Sequence, residues 1–337
     1  MTRLTDHSNA HLTMPELPSP VETVADGKVA LDEYGIAIHR AALSPDEVAA
    51  LKERLTEQAE LERSYDVALI SNQSFTGETW YGGADGELPA WQNVTLLVNK
   101  GRVFIDHVLN NPVIHEYCKH AFDNTPYQLS SMSGIIQRKG CEAMTIHTDQ
   151  QWVPITEMPV LLNFFICLSE FEEEMGATRV VPKSHRRPPP RLGWDEKLGA
   201  TCLDEYETVP VECQAGDIFC WEGRTWHQSG ASTSDKVRYS IACTWGRNWV
   251  KPIDNYLQTL QDDVHKSLSQ EELDLIGFKV DAAGRIAPRY PGDRQSTNRA
   301  VPFIPELRPG RDNVVAKAPG KRGNVDTFAS DQNKGAQ

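Results

Sequence analysis

The sequence predicts an α+β fold whose working half is a β-sandwich or barrel, and three observations carry that prediction. Helical patterning fills the first third, from "SPDEVAALKERL" to "NNPVIHEYCKHAF". From about residue 126 the period changes to short runs rich in Val, Ile, Phe and Thr, broken by Gly, Pro and Asp, which is how strands read. Helical character returns only at "PIDNYLQTLQDDVHKSLSQEELDLIGF". Helices kept apart from strands fit segregated layers.

Taken in order, residues 1–25 are polar, proline-containing and aperiodic, and are expected to form a mobile tail. The ordered domain is expected over 26–285. "GIAIHR" reads as a strand. In "SPDE", Ser44 suits an N-cap, Pro45 the first helical position, and Glu47 closes a capping box. Val48, Leu51 and Leu55 then share one helical face. Asn111 and Pro112 mark another helix start, and "SQEE" at 269–272 a further capping box. "WYGGADGE" lacks the GKS/T ending of a phosphate-binding loop and reads as lid material, within candidate lids at 71–90 and 186–206. The strand-like runs are "YQLSSMSGIIQRKG", "PVLLNFFICLSEF", "TRVVPKSH", "ETVPVECQAGDIFCWEG" and "VRYSIACTWG". Leu257, Leu260 and Val264 recur at helical spacing in the closing helical stretch. Residues 286–337 form a C-terminal extension, in which Phe303, Ile304 and Leu307 are worth burying and the last part reads as disordered.

Composition narrows the function. With 39% hydrophobic residues among 337, the chain can bury a core, and a net charge of −13 disfavours nucleic acid and anionic membranes as partners. No apolar run is long enough to span a bilayer, and the N-terminus lacks the apolar stretch of a signal peptide. Seven cysteines, odd in number and without CxxC spacing, suggest free thiols in a reducing cytoplasm. A small-molecule partner is expected, and a homo-oligomer is compatible with the sequence.

The chemistry centres on "MTIHTDQQW". Residues i and i+2 of a strand point to one face, so His147 and Asp149 at a strand end would project together. HxD alone has little specificity. A third ligand is offered by His227, in "GDIFCWEGRTWHQSGAS". Two histidines and a carboxylate form the facial triad of non-haem Fe(II) oxygenases, which keeps coordination positions open. Arg238, eleven residues after His227 at the head of the next strand, adds a planar fork suited to a carboxylate. The competing reading makes Arg238 a surface residue paired with Asp235 or Glu222. For the four tryptophans 221, 226, 245 and 249, core packing is the default reading. "HRRPPPR" reads as a solvated loop before it reads as a collar for an anionic substrate.

With these residues in view, the chain resembles the phytanoyl-CoA dioxygenase family of Fe(II)/2-oxoglutarate-dependent oxygenases. The resemblance runs over roughly residues 29–280, through "LDEYGIAIHRAALSPDEVAALKERL", "LLVNKGRVFIDHVLNNPVI", "IHTDQQW", "CLSEFEEEMGATRVVPKSHR", "AGDIFCWEGRTWHQSGAS" and "RYSIACTWGRNW". It implies a double-stranded β-helix (jelly-roll, cupin-like) core with flanking helices. It implies His147, Asp149 and His227 as iron ligands, Arg238 as the 2-oxoglutarate carboxylate partner, Gln137 as a further co-substrate contact, and Trp152 and Asn163 near the substrate. His185 belongs to the pattern as a structural or pocket-edge residue, not a ligand. Met175-Gly176 stands where the family often has Asn-Gly, and Lys183 where it commonly has glycine in Pro-Gly-Ser-His. Both changes bear on the substrate entrance.

The resemblance also implies a reaction. O2 and 2-oxoglutarate give succinate and CO2 while an unactivated C–H bond of an organic small molecule is hydroxylated, as in secondary metabolism. Desaturation, epoxidation, ring formation, oxidative demethylation and acyl-CoA hydroxylation are the variants. The carboxylate of Asp149 argues against halogenation, which needs a small residue there. A metal-binding cupin without turnover would not need Arg238, and a zinc hydrolase would need a positioned general base for which no motif is present.

Overall fold

The computed structural model describes residues 16–71, 79–82, 88–152, 157–187, 193–195, 200–202 and 207–279, with the backbone alone at 79–80, 151–152, 193–195 and 200–202. The expected boundary at 285/286 and the extension beyond it lie outside the described residues.

Helix α1 (Val24–Tyr34) starts where Thr23 accepts the Asp26 N–H and ends at Gly35 in the left-handed region. The expected tail of 1–25 therefore needs correction for its described part. Leu17 packs against the core, and the Val21 N–H donates to the Ile38 carbonyl at 2.8 Å. A single backbone bridge of this kind leaves no periodicity to read.

Strand β1 (Ile36–His39) leads to α2 (Pro45–Ser64), where the Ser44–Glu47 capping box is present and Val48, Leu51 and Leu55 are buried. Three short strands follow, β2 (Ala68–Ser71), β3 (Thr79–Gly82) and β4 (Trp91–Val94). One turn of α3 (Arg102–Phe104) then runs into a π turn, Ile105–Leu109. Helix α4 (Pro112–Ala121) begins at Asn111, whose side chain accepts the Val113 and Ile114 N–H groups.

The strand-rich half holds β5 (Tyr127–Gln137), β6 (Leu161–Cys167), β7 (Thr178–Val180), β8 (Gly193–Asp195), β9 (Ala200–Cys202), β10 (Val209–Pro210), β11 (Ile218–Glu222), β12 (His227–Ser229) and β13 (Arg238–Arg247). The closing helical stretch is three short pieces, α5 (Tyr256–Thr259), α6 (Asp262–Ser267) and α7 (Gln270–Leu273), the last with the Ser269–Glu272 capping box. Leu260 is buried there but Leu257 is half exposed, because extended backbone at Leu260 breaks the helical face.

An antiparallel sheet of eight strands runs β1-β11-β6-β13-β5-β4-β2-β3, and a smaller one runs β10-β7-β12. Strand periodicity assigns each side chain of the large sheet to one of two layers. Leu162, Phe164 and Ile166 of β6, Ile218 and Cys220 of β11, and Ile241, Cys243 and Trp245 of β13 join the helices in the larger core. Phe165 and Cys167, with Phe219 and Trp221, turn instead toward Val180 of the small sheet in a second core. Gly134 lets α2 lie close to the outer face, since a Cβ there would meet Leu55 Cδ1 at 2.1 Å. Two facing antiparallel sheets with helices packed outside make a jelly-roll core, and the site lies between the sheets.

Candidate metal centre

His147 and His227 exchange backbone hydrogen bonds of 2.9 and 3.0 Å across an isolated antiparallel bridge. His147 is thus paired to β12 without belonging to a regular strand. Asp149 does not continue an extended run as the i, i+2 reasoning supposed, and instead opens a 3₁₀ turn, Asp149–Trp152. The turn is held by Gln150, whose N–H reaches the Gly223 carbonyl and whose side chain binds Met158 and Val160. The carboxylate still arrives beside both imidazoles, positioned by that turn.

One ligand atom from each of His147, Asp149 and His227 lies within 4.8 Å of the other two. The Nε2 atoms approach opposite oxygens of Asp149, at 3.7 Å for His147 and 3.3 Å for His227. Each Nδ1 faces a backbone carbonyl, Thr145 at 3.0 Å and Thr225 at 2.9 Å. A proton on Nδ1 satisfies that carbonyl and leaves the Nε2 lone pair for a metal. Burial pushes His227 down to about 4, against the pull of Asp149, so its imidazole is neutral near pH 7. Two imidazoles and a carboxylate suit iron(II) with open positions.

The indole N–H of Trp221 donates to Asp149 Oδ2 at 3.2 Å. That link escaped the sequence reading, which gave Trp221 to the core. Only the register of β11 turns the ring toward the second core and the turn after His147. Of the other three tryptophans, Trp226 and Trp245 are buried in core packing and Trp249 is half exposed.

Arg238 lies directly opposite Gln137 in the β13–β5 register and is 1% exposed. Its guanidinium donates to the Gly176 carbonyl and to Gln137 Oε1, while Nε has no hydrogen-bond partner. The ring of Phe171 lies 4.8 Å from the guanidinium carbon. The surface-pair alternative fails, because Asp235 pairs with Lys139 and Glu222 with Arg224. Burial lowers Arg238 to about 10, and it remains a cation at neutral pH. Gly176 sits at φ 78°, where a Cβ would meet Gln137 Nε2 at 2.2 Å, so only glycine fits there.

A cavity of about 180 Å³ opens on the triad, walled by Trp91, Ile135, Phe165, Trp221 and Ala242 among others. Asn163 and Asn93 line it, as does Thr178, whose buried hydroxyl lacks a partner. Asn93 and Thr178 carried no signal in the sequence, since cross-strand register alone brings them there. The side chain of Trp152 lies outside the described residues, as do 188–191 of "HRRPPPR" and most of both candidate lids. His185 is buried away from the triad, with Nε2 at 3.2 Å from the Asp32 carbonyl.

The family model described as phytanoyl-CoA dioxygenase matches residues 31–240. The dioxygenase aneA of Aspergillus aculeatus is 32% identical over 162 residues, 45% of this chain and 52% of that protein. The multifunctional dioxygenase prhA of Penicillium brasilianum is 23% identical over 262 residues, 74% of this chain and 81% of that protein. The match thus spans about half the length of the first relative and about four-fifths of the second. The fold is shared with the non-heme alpha ketoglutarate dependent carbocyclase SnoK from nogalamycin biosynthesis, at TM-score 0.54 and 21% identity over 75% of this chain and 94% of that one. It is shared also with HygX from Streptomyces hygroscopicus, solved with nickel and 2-oxoglutarate bound, at TM-score 0.52 and 15% identity over 67% of this chain and 88% of that one.

Proposed function

Since this chain belongs to the phytanoyl-CoA dioxygenase family, we propose that it is an Fe(II)/2-oxoglutarate-dependent dioxygenase hydroxylating an unactivated C–H bond of a small organic molecule. The observation that carries the reading is the convergence of His147, Asp149 and His227, with both Nδ1 atoms against carbonyls. These three residues would hold iron. Arg238, a buried cation whose described hydrogen bonds go only to neutral oxygens, would take the distal carboxylate of 2-oxoglutarate, with Gln137 fixing the fork.

Bound iron(II) and 2-oxoglutarate would supply the oxidising power: one atom of O2 goes to succinate as CO2 leaves, and the other enters the C–H bond. The chain's own work is placement. Thr145 and Thr225 carbonyls fix the imidazole tautomers, Trp221 orients Asp149, and the aromatic wall keeps water from the reacting bond. A secondary metabolite is the substrate class we favour, and the carbocyclase SnoK, which shares the fold, is from nogalamycin biosynthesis. No helix among the described residues is long and apolar enough to cross a membrane, and the six cysteines with described side chains, all buried free thiols, suit the reducing cytoplasm.

The test is an anaerobic titration of metal-free protein with Fe(II) and then 2-oxoglutarate, followed in the visible. A charge-transfer band that needs both components is the expected result. Iron binding without the band would replace this reading with that of a metal-binding cupin.

A further inference from the structure

The inner face of the large sheet carries a buried polar pair beside the triad, apart from the Arg238–Gln137 pair. Asn163 on β6 and Thr244 on β13 are direct cross-strand partners. The Thr244 hydroxyl donates to Asn163 Oδ1 at 2.8 Å, while Asn163 Nδ2 is buried without a partner and the residue is 2% exposed. Both line the cavity at the triad. Asn93 on β4 lines it too and holds a buried Oδ1 that also lacks a partner. An amide donor and an amide acceptor are thus left unsatisfied on residues that line one cavity, and each costs free energy unless a ligand completes it.

Charge sets the rest. Beyond the three triad residues, the cavity's described lining contains no Lys, Arg, His, Asp or Glu. A carboxylate or phosphate of the substrate would meet no cationic side chain there, since Arg238 is not among the lining residues. We propose that Asn163, braced by Thr244, is a specificity-determining donor for a carbonyl or hydroxyl oxygen on a neutral, mainly apolar ring substrate, with Asn93 accepting from a second polar hydrogen where the substrate has one. This rests on the dioxygenase reading above and deepens it. Aromatic walls supply affinity without direction, so the Asn163 hydrogen bond decides which C–H bond faces the triad.

The experiment compares three probes of similar frame: 1-tetralone, tetralin and tetralin-1-carboxylate. Each is dialysed to equilibrium against protein loaded with Fe(II) and 2-oxoglutarate without oxygen. We expect 1-tetralone to bind roughly tenfold tighter than tetralin, in line with a buried polar pair completed, and the carboxylate to bind weakest. Asn163→Leu should erase the tetralone preference, and Thr244→Val, which keeps the shape, should reduce it. Equal binding of tetralone and tetralin, no measurable tetralone binding, a preference kept in both variants, or tightest binding of the carboxylate overturns the proposal. Absence of the iron–2-oxoglutarate band in the unmutated protein would instead sink the underlying dioxygenase reading, so the two failures are separable.

Discussion

Arg238 and Gln137 face each other across β13 and β5 in direct register, and the guanidinium donates to the amide oxygen in a space closed to water. Gln137 passes the constraint on, its own Nε2 donating to the Gly230 carbonyl at 3.0 Å. The cation is thus fixed in orientation by neutral acceptors. Such an arrangement stabilises a guest anion more than it stabilises the empty fold, since an uncompensated buried charge is costly.

Arg238→Met should therefore separate ligand binding from folding. The 2-oxoglutarate requirement for succinate release should rise roughly 10²-fold, the scale of losing one partner of a buried charge pair. Iron affinity should stay unchanged, because Arg238 touches no triad residue in its described contacts. In anaerobic melting of the variant, iron should still raise Tm and 2-oxoglutarate should add nothing further. A retained 2-oxoglutarate increment would remove Arg238 from the co-substrate site.

His147→Ala and His227→Ala should each lower bound iron to about a tenth of its stoichiometric value or less, measured by metal analysis after desalting, since each would leave two of the three proposed ligands. His185→Ala is the matched control. It loses only the contact to the Asp32 carbonyl and its packing, so iron content should hold while Tm falls by a few degrees.

What could be read from the sequence follows how local each signal is. The helix starts at Ser44, Asn111 and Ser269 were legible because a cap is written in three or four adjacent residues. His147, Asp149, His227 and Arg238 stood out through residue type and spacing, and the chain brings the first three together. The turn at Asp149 was not legible, because it depends on Gln150 reaching Gly223, Met158 and Val160. Asn93, Thr178 and Trp221 were invisible for a related reason: their facing is set by register between strands far apart in sequence. Lys183, flagged as a replacement for glycine, proves to occupy the left-handed region at φ 65°. Its ammonium is tied to Glu33 at 3.0 Å and lies 4.4 Å from the Tyr34 ring centre, contacts that offset part of the backbone cost.

Acid sensitivity should be traceable to Glu272. Burial alone would raise this carboxyl, but Arg102, the Ser269 N–H and Asn110 outweigh it and bring it down to about 2. Its folded value lies below the ordinary 4.5, so its stabilisation is complete above about 4.5 and lost as pH falls toward 2. Glu272→Gln should destabilise by about 1–3 kcal/mol at pH 7, and the Tm gap to the unmutated protein should close as pH falls through that window. A gap constant from pH 7 to pH 2.5 would show that the charge contributes nothing.

Trp221 offers the sharpest separation of packing from positioning. Its ring stacks on Phe219 with centroids 4.9 Å apart, while its N–H holds Asp149 Oδ2. Trp221→Phe keeps an aromatic ring against Phe219 and deletes the donor. The fold should lose no more than about 2 kcal/mol, as for other modest changes of core shape. Asp149 then loses the bond that orients its carboxylate toward the two Nε2 atoms, and outer contacts of this kind are worth roughly 10–100-fold in metal affinity. Anaerobic Fe(II) titration of both proteins, with Tm measured in parallel, reads the two effects apart. Weakened iron binding with a nearly unchanged Tm identifies Trp221 as a positioning residue. An unchanged iron affinity would mean that the 3₁₀ turn alone aims the carboxylate, and that the indole contributes only packing.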